Sequence, residues 1–179
     1  MSMIFQKRST RTRVSTETGV YLLGGHALVL GPQDIQLGVN ETLKDTAKVL
    51  CRYNDVILAR VFSHNDVKEL ADNSSVPGAL KYILSRINYN LNFNPVINAL
   101  SDMFHPLQTL ADLMTLREHF GTSLQGKTLS WVGDGNNVLH DLMIGSIKQG
   151  MSVRISTPPS YTPDKDIVAQ ALDLAKVRL

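Results

Sequence analysis

The chain has 179 residues, of which 43% are hydrophobic and 19% are charged, and its formal net charge is +2. This composition is typical of a globular protein with a sizeable apolar core, and it argues against a general nucleic-acid-binding protein, which carries a larger excess of positive charge. The single cysteine, Cys51, excludes an internal disulfide, and no apolar run is long enough to span a bilayer.

Segments with strand patterns alternate with segments with helix patterns along the chain. In the first part we predict the strand Met1–Gln6, the helix Thr12–Leu23, the strand His26–Leu30, a helix capped by Asn40, the strand Asp55–Phe62, the helix Asn65–Asn73 and the strand Val96–Leu100. In the second part we predict the helix His105–His119, a strand running into a loop over residues 127–137, the helix Val138–Gln149, the strand Ser152–Ser156 and the helix Asp164–Val177. This alternation predicts an α/β fold with parallel sheets and helices on both faces.

The helix predicted over His105–His119 has an amphipathic pattern. Its apolar residues at helical spacing are Leu107, Leu110, Ala111 and Met114. We therefore expect these residues to form the buried face of the helix.

Residues 78–95 do not fit the alternation. They follow Pro77 and contain four asparagines with little periodicity. Asparagine favours loops over strands, so we interpret this segment as an insertion before the strand that begins at Val96.

The segment KRSTRTR, residues 7–13, holds four cations and three hydroxyl side chains without a carboxylate. Its Ser9, Thr10, Arg11 and Thr12 lie at the start of a predicted helix, where free backbone N–H groups and the positive end of the helix dipole point outward together. Hydroxyls and a guanidinium on one turn can bind all the oxygens of a phosphate. The alternatives are a solvated basic turn, a nucleic-acid patch and an organelle-targeting leader.

Two further positions could bind the same ligand. His105 and Gln108, in the sequence HPLQ, share a face at a predicted helix start, and together they can bind an uncharged polar group. The alternative for His105 is a capping or surface role. Arg60 lies near the carboxyl end of a predicted strand, which is the edge where open α/β sheets bind ligands; its alternative role is an ion pair with a nearby carboxylate.

The sequence GDGNN, residues 133–137, also joins a predicted strand to a helix. It begins like a dinucleotide-binding fingerprint but lacks the third glycine at the required spacing. The adjacent amides of Asn136 and Asn137 suit the carboxylate or amine group of a small molecule. The alternative is that one of the two caps the helix.

With STRTR, Arg60, HPLQ and GDGNN in this order, the chain resembles the aspartate/ornithine carbamoyltransferases, most closely the ornithine-specific branch of the mitochondrial type. Longer segments such as MIFQKRSTRTRVSTETGVYLLGGH and LSDMFHPLQTLADLMTLREHF are also similar to the family. The resemblance implies an α/β fold of two αβα domains with parallel sheets. Residues 1–120 would form a nearly complete carbamoyl-phosphate-binding domain, in which 78–95 have no family counterpart, and residues 121–179 the start of an ornithine-binding domain.

The resemblance also implies a set of binding residues. The positions that match carbamoyl-phosphate-binding residues of the family are Ser9, Thr10, Arg11, Thr12, Gln36, Arg60, His105 and Gln108. Of these, Gln36 matches a position that reaches into the neighbouring subunit's site in the family trimer, and His105 and Gln108 would bind the carbamoyl group. The positions that match ornithine-binding residues are Asn136 and Asn137.

The implied reaction is attack by the deprotonated δ-amine of L-ornithine on the carbamoyl carbon, which gives citrulline and phosphate. Arg11 and His105 would be the catalytic residues, and with Thr12 they would stabilise the developing oxyanion. The resemblance implies no metal or organic cofactor, no nucleic-acid or membrane partner, a homotrimer in the complete protein and a mitochondrial matrix location, otherwise a cytoplasmic one. It leaves open whether the pathway is arginine synthesis or nitrogen disposal.

The chain ends at Leu179, inside the second domain that the resemblance implies. The family's Asp and Ser-Met-Gly loop, its His-Cys-Leu-Pro motif and a late Arg lie beyond that point, and Cys51 does not match the family's cysteine. We therefore expect one of two things. The chain is either a partial product of a carbamoyltransferase or an inactive remnant that retains at most carbamoyl-phosphate binding.

Overall fold

A computed structural model describes residues 1–35, 40–74 and 95–177. The strands within these ranges are β1 Ser2–Phe5, β2 Leu28–Leu30, β3 Ile57–Arg60, β4 Val96–Leu100, β5 Thr128–Val132 and β6 Ser152–Ser156. The helices are α1 Thr10–Leu22, α2 Leu43–Tyr53, α3 His64–Asn73, α4 Pro106–Phe120, α5 Asn137–Lys148 and α6 Lys165–Lys176. The alternation of strands and helices confirms the predicted α/β class.

The chain divides into two compact units, Met1–Ser101 and Asp102–Leu179. The predicted domain boundary, after residue 120, stays a prediction. The predicted insertion 78–95 lies outside the described residues apart from Pro95. Among the helices of the described ranges, none has the length and hydrophobicity needed to cross a membrane.

The first unit contains a parallel sheet with the strand order β2-β1-β3-β4. Strand β1 runs in register with β3, so that Ser2 lies beside Ile57 and Phe5 beside Arg60. Because the carboxyl ends of parallel strands meet at one edge, the loop from β1 to α1 and the residue Arg60 lie at the same edge of the sheet.

Helices α2 and α3 pack on the apolar core of this sheet. The buried residues of that core are Ile4, Ala47, Ile57, Ala59, Val61, Val67 and Leu70. Helix α2 begins after Thr42, whose Oγ1 accepts a hydrogen bond from the Asp45 N–H at 3.1 Å. The prediction that Asn40 caps this helix is therefore wrong, because the threonine hydroxyl two residues later takes that role.

The second unit contains the parallel pair β5 and β6 and helices α4, α5 and α6. One buried cluster joins α5 to α6 through Leu139, Met143, Ile167 and Ala171. A second cluster consists of Leu113 on α4, Leu124 and Met151.

The prediction for the buried face of α4 is wrong. Thr109 and Leu113 are buried, whereas Leu110 is 64% exposed and Met114 is 59% exposed. The reason lies on α5, where Gly145 has no side chain and a Cβ there would lie 2.6 Å from Thr109 Cγ2. The two helices therefore pack closely along Thr109 and Leu113, and this contact selects the face.

Candidate active site

The start of α1 presents backbone N–H groups and a hydroxyl side chain. Ser9 is the N-cap, and its Oγ accepts a hydrogen bond from the Thr12 N–H at 3.3 Å. The helix therefore begins at Thr10, two residues earlier than the predicted Thr12. The N–H groups of a first helical turn have no carbonyl partner within the helix, and the Ser9 hydroxyl still has its own hydrogen to donate.

The four cations of residues 7–13 divide into two groups. Lys7 Nζ lies 4.9 Å from the centre of the Phe62 ring, and Arg13 forms an exposed ion pair with Glu17 at 3.5 Å. Arg8 and Arg11 form no ion pair with any residue in the described ranges. Within the described residues, two guanidinium groups near the start of α1 therefore lack a carboxylate to neutralise them.

Arg60 contributes a partly buried cation at the same edge of the sheet. Its Nε is buried and has no hydrogen-bond partner among the described residues. Burial lowers the pKa of the Arg60 guanidinium below its usual value, because a charge is less stable away from water. The alternative role, an ion pair with a nearby carboxylate, has no support among the described residues.

Gln6, in the loop that leads to α1, is hydrogen-bonded to the end of β3 and to α3. Its backbone N–H donates to the Arg60 carbonyl at 2.9 Å, and its side-chain Oε1 accepts from the Phe62 N–H at 2.8 Å. Its Nε2 donates to Asp66 Oδ2 at 3.1 Å. No local pattern marks this residue, since its contact with Asp66 spans 60 positions of the chain.

A cleft of about 710 Å³ adjoins the start of α1. Its lining includes Arg8, Ser9 and Thr10 together with residues 31–34, which follow β2. Gln36, the remaining predicted carbamoyl-phosphate residue of this part of the chain, lies outside the described residues.

His105 and Gln108 lie at the start of α4, as the sequence predicts. His105 is the N-cap residue, but its side chain makes no capping hydrogen bond. Gln108 lies in the first turn, where its Nε2 donates to Asp112 Oδ1 at 2.8 Å. His105 therefore does not have the side-chain capping role that was the alternative for it.

The turn before α4 is held by two consecutive residues of α5 that sequence reasoning missed. Asp141 Oδ2 accepts a hydrogen bond from the His105 N–H. His140 Nδ1 lies 2.8 Å from the Met103 carbonyl, and His140 Nε2 accepts from the Asp164 N–H at 3.0 Å. The only sequence signal was a histidine within the apolar run VLHDLM.

The GDGNN loop has one capping and one non-capping asparagine. Asn136 Oδ1 accepts from the N–H groups of Val138 and Leu139, at 3.0 and 3.2 Å. Asn136 thus has the role that the sequence left open between the two asparagines, and Asn137 is the first residue of α5. Gly135 must be a glycine here, because a Cβ would lie 2.1 Å from Pro163 N.

The geometry therefore groups the predicted residues in three places. Ser9–Thr12 and Arg60 lie at the same edge of the first sheet. His105 and Gln108 share the start of α4, and Asn136 and Asn137 the start of α5. The described ranges contain no group of three or more His, Cys, Asp and Glu side chains suited to hold a metal ion.

This arrangement of parallel sheets and polar helix starts coincides with matches to two domain families. Residues 1–118 match "Aspartate/ornithine carbamoyltransferase, carbamoyl-P binding domain", and residues 125–178 match "Aspartate/ornithine carbamoyltransferase, Asp/Orn binding domain". The chain therefore belongs to the aspartate/ornithine carbamoyltransferase family.

Within the family, the similar proteins carry names of the ornithine branch. The chain is 48% identical to the mitochondrial ornithine carbamoyltransferase of Aquarana catesbeiana over 176 residues, which are 98% of this chain and 45% of that protein. It is 47% identical to the ornithine carbamoyltransferase of Methanoculleus marisnigri over 171 residues, 96% of this chain and 49% of that protein. The chain thus spans about half the length of the curated relatives it matches.

Solved structures give the same result. The ornithine carbamoyltransferase of Pyrococcus furiosus matches with a TM-score of 0.85 and 47% identity, over 98% of this chain and 50% of that chain. The mitochondrial enzyme of Coccidioides immitis matches with a TM-score of 0.82 and 43% identity, over 98% and 51% of the two chains. The predicted carbamoyltransferase-type fold is confirmed.

Proposed function

We propose that the protein transfers the carbamoyl group of carbamoyl phosphate to the δ-amine of L-ornithine, giving citrulline and phosphate. The observation that carries the proposal is the anion site at the first sheet's edge. There the capped start of α1 and Arg60 lie at the same edge of the sheet, and the buried Nε of Arg60 lacks a hydrogen-bond partner among the described residues. A bound phosphate would supply the charge and the acceptors that these groups lack.

In this proposal the phosphate is bound by Ser9, Thr10, Arg11, Thr12 and Arg60, and Gln36 belongs to the same ligand's site. The backbone N–H groups of the first turn of α1 and the guanidinium groups of Arg11 and Arg60 donate to the phosphate oxygens. They also stabilise the negative charge that the phosphate gains as the bond to the carbamoyl carbon breaks.

The carbamoyl group is assigned to the start of α4. A neutral His105 can donate one N–H to the carbamoyl oxygen, and with Arg11 and Thr12 it stabilises the oxyanion that forms when the amine attacks. Gln108 offers an amide oxygen to the carbamoyl NH2. Asn136 and Asn137 are assigned to the ornithine backbone, and since Asn136 Oδ1 caps α5, Asn136 would bind through its NH2 group.

The first test is calorimetric titration of the chain with carbamoyl phosphate in the cold, followed by L-ornithine. We expect saturable binding of carbamoyl phosphate. Arg60→Gln should weaken it by about thirtyfold or more, since removing one partner of a buried charge pair costs about 2 kcal/mol or more. The matched control is Arg52→Gln, which removes an exposed guanidinium of α2 in the same unit and should leave binding unchanged.

The outcomes separate the competing functions. Citrulline formation by the chain supports the transferase. Carbamoyl-phosphate binding without citrulline supports the alternative, a protein that retains only ligand binding. Unchanged binding after both Arg60→Gln and Arg11→Ala contradicts the assigned anion site, and salt-sensitive binding of DNA would support the nucleic-acid alternative instead.

We further propose a homotrimer and a place in amino-acid metabolism, in arginine synthesis or nitrogen disposal. We propose the mitochondrial matrix as its location, with the cytoplasm as the alternative. The relatives include proteins named as mitochondrial, from Aquarana catesbeiana and Gallus gallus. Analytical ultracentrifugation and fractionation of the source cells test the two assignments separately.

A further inference from the structure

The segment that leads into α4 is fixed on both sides of Phe104 by neighbouring residues of α5. His140 binds the carbonyl of Met103, and Asp141 accepts from the N–H of His105. Phe104 lies between Met103 and His105 in the sequence, and its ring meets the His140 ring edge-on, with the ring centres 6.4 Å apart. All of these residues belong to one compact unit.

The contacts of His140 determine which nitrogen carries its proton. The Asp164 backbone N–H can only donate, so Nε2 of His140 must accept. The hydrogen therefore sits on Nδ1 and is donated to the Met103 carbonyl. His140 is 5% exposed. Its buried ring makes two hydrogen bonds: Nδ1 donates to the Met103 carbonyl and Nε2 accepts from the Asp164 N–H.

The backbone of His105 needs its own partner, because its N–H lies outside the helix. Its φ and ψ angles are −137° and 65°, and these angles set the direction of the Cα–Cβ bond. A carboxylate that receives this N–H fixes the peptide plane just before His105. The same carboxylate lies at the positive end of the α4 dipole, which adds to the attraction.

We propose that Asp141 is a positioning residue for His105, and that His140 holds the preceding carbonyl so that the His105 side chain keeps a single direction. The inference rests on the proposed function in one respect, the assignment of His105 to the carbamoyl group. Asp141 acts through the backbone and does not touch the ligand.

Two conservative variants separate position from charge. Asp141→Asn keeps an oxygen at the same place but removes the charge, whereas Asp141→Glu keeps the charge and displaces the oxygen by one methylene. We expect Asp141→Glu to weaken carbamoyl-phosphate binding about tenfold, the size of one lost hydrogen bond, and Asp141→Asn to stay within about twofold of the wild type. Asp166→Glu, an exposed carboxylate at the start of α6, is the matched control and should change nothing.

Inorganic phosphate is the second probe, because it lacks the group assigned to His105. Asp141→Glu should leave phosphate binding unchanged, and its effect on carbamoyl phosphate should vanish in a His105→Ala background. Equal weakening of both ligands, or a loss that persists without His105, would overturn the proposal, because either result shows a general structural effect.

The positioning role is also measurable without a ligand. The three-bond coupling between the amide and α protons of His105 reports φ, and it should change in Asp141→Glu and stay constant in Asp141→Asn. If the wild-type chain binds no carbamoyl phosphate, the proposed function fails. The coupling constant still shows whether Asp141 fixes the φ angle of His105. A coupling that is the same in all variants would show that Asp141 does not hold His105.

Discussion

Helices α1 and α5 both follow a parallel strand and both begin with a side-chain oxygen bound to backbone N–H groups, but their surroundings differ. Helix α1 has no buried residue. Helix α5 has five, which are Leu139, His140, Leu142, Met143 and Ser146. Packing therefore holds α5 along its length, whereas nothing comparable within the described ranges holds α1.

The difference also appears in how the two helix starts use their donors. Asn136 binds two N–H groups of α5, so the start of that helix is largely satisfied by the protein itself. Ser9 binds only one of α1, and the residues around it are hydroxyls and arginines. The same strand-loop-helix unit thus caps two backbone N–H groups at the start of α5 but only one at the start of α1.

The largest expected effect is on the core contacts of α5. Leu139 is fully buried and Val14 of α1 is 57% exposed. Leu139→Ala should lower the free energy of unfolding by about 2–5 kcal/mol, because it leaves a cavity. Val14→Ala should change it by about 0.5 kcal/mol or less. Urea unfolding followed by circular dichroism measures both, and equal losses would mean that α1 is packed as firmly as α5.

The next largest expected effect on stability comes from removing a helix N-cap. Asn136→Ala removes two hydrogen bonds and should lower the free energy of unfolding by about 1 kcal/mol. Trp131, the only tryptophan, packs against the core around Leu139, so its fluorescence follows this unfolding. The control is Asn136→Asp, which keeps an acceptor and should restore most of the stability.

Ser9→Ala completes the comparison of the two caps. It removes one capping bond, so its effect on stability should be no larger than that of Asn136→Ala, while its effect on phosphate binding should be larger. If Ser9→Ala changes stability alone, the start of α1 is a cap of the ordinary kind, and the contrast with α5 disappears.

Local patterns predicted the elements well, because the hydrophobic spacing and the end signals of strands and helices lie within a few residues of each other. The strands Val96–Leu100 and Ser152–Ser156 have the predicted bounds, since each contains the β-branched residues Val and Ile, which favour strands. The face of α4 could not be predicted in this way. It depends on Gly145, a residue of another helix, and no periodicity within α4 contains that information.

The candidate site likewise has parts that local patterns predict and parts that depend on contacts between distant residues. The helix starts near Ser9–Thr12 and at HPLQ could be predicted to within two residues, because a helix start presents its donors wherever the helix lies, and their binding roles stay predictions. The supports could not. Asp141 meets His105 across 36 positions of the chain, and Gln6 meets Asp66 across 60. Such pairs exist only once the fold has brought their elements together.

The smallest expected effect concerns the pH dependence that Asp141 adds to α5. Burial raises the pKa of the Asp141 carboxyl above its ordinary value, and the hydrogen bond from the His105 N–H opposes this only in part. The folded state therefore binds this proton more tightly than the unfolded state does. The stability that this proton contributes is fully present below about pH 3.9, the unfolded value, and is lost as the pH rises through the folded pKa.

Asp141→Asn cannot titrate, so the free energy of unfolding of the wild type minus that of the variant should fall as the pH rises from about 4 to about 7. Asp173→Asn is the control, since the Asp173 side chain is 74% exposed. A difference that rises with pH would mean that the bond to His105 stabilises the carboxylate more than burial destabilises it. The start of α4 would then be held by charge as well as by position, and the contrast between Asp141→Asn and Asp141→Glu in ligand binding should shrink accordingly.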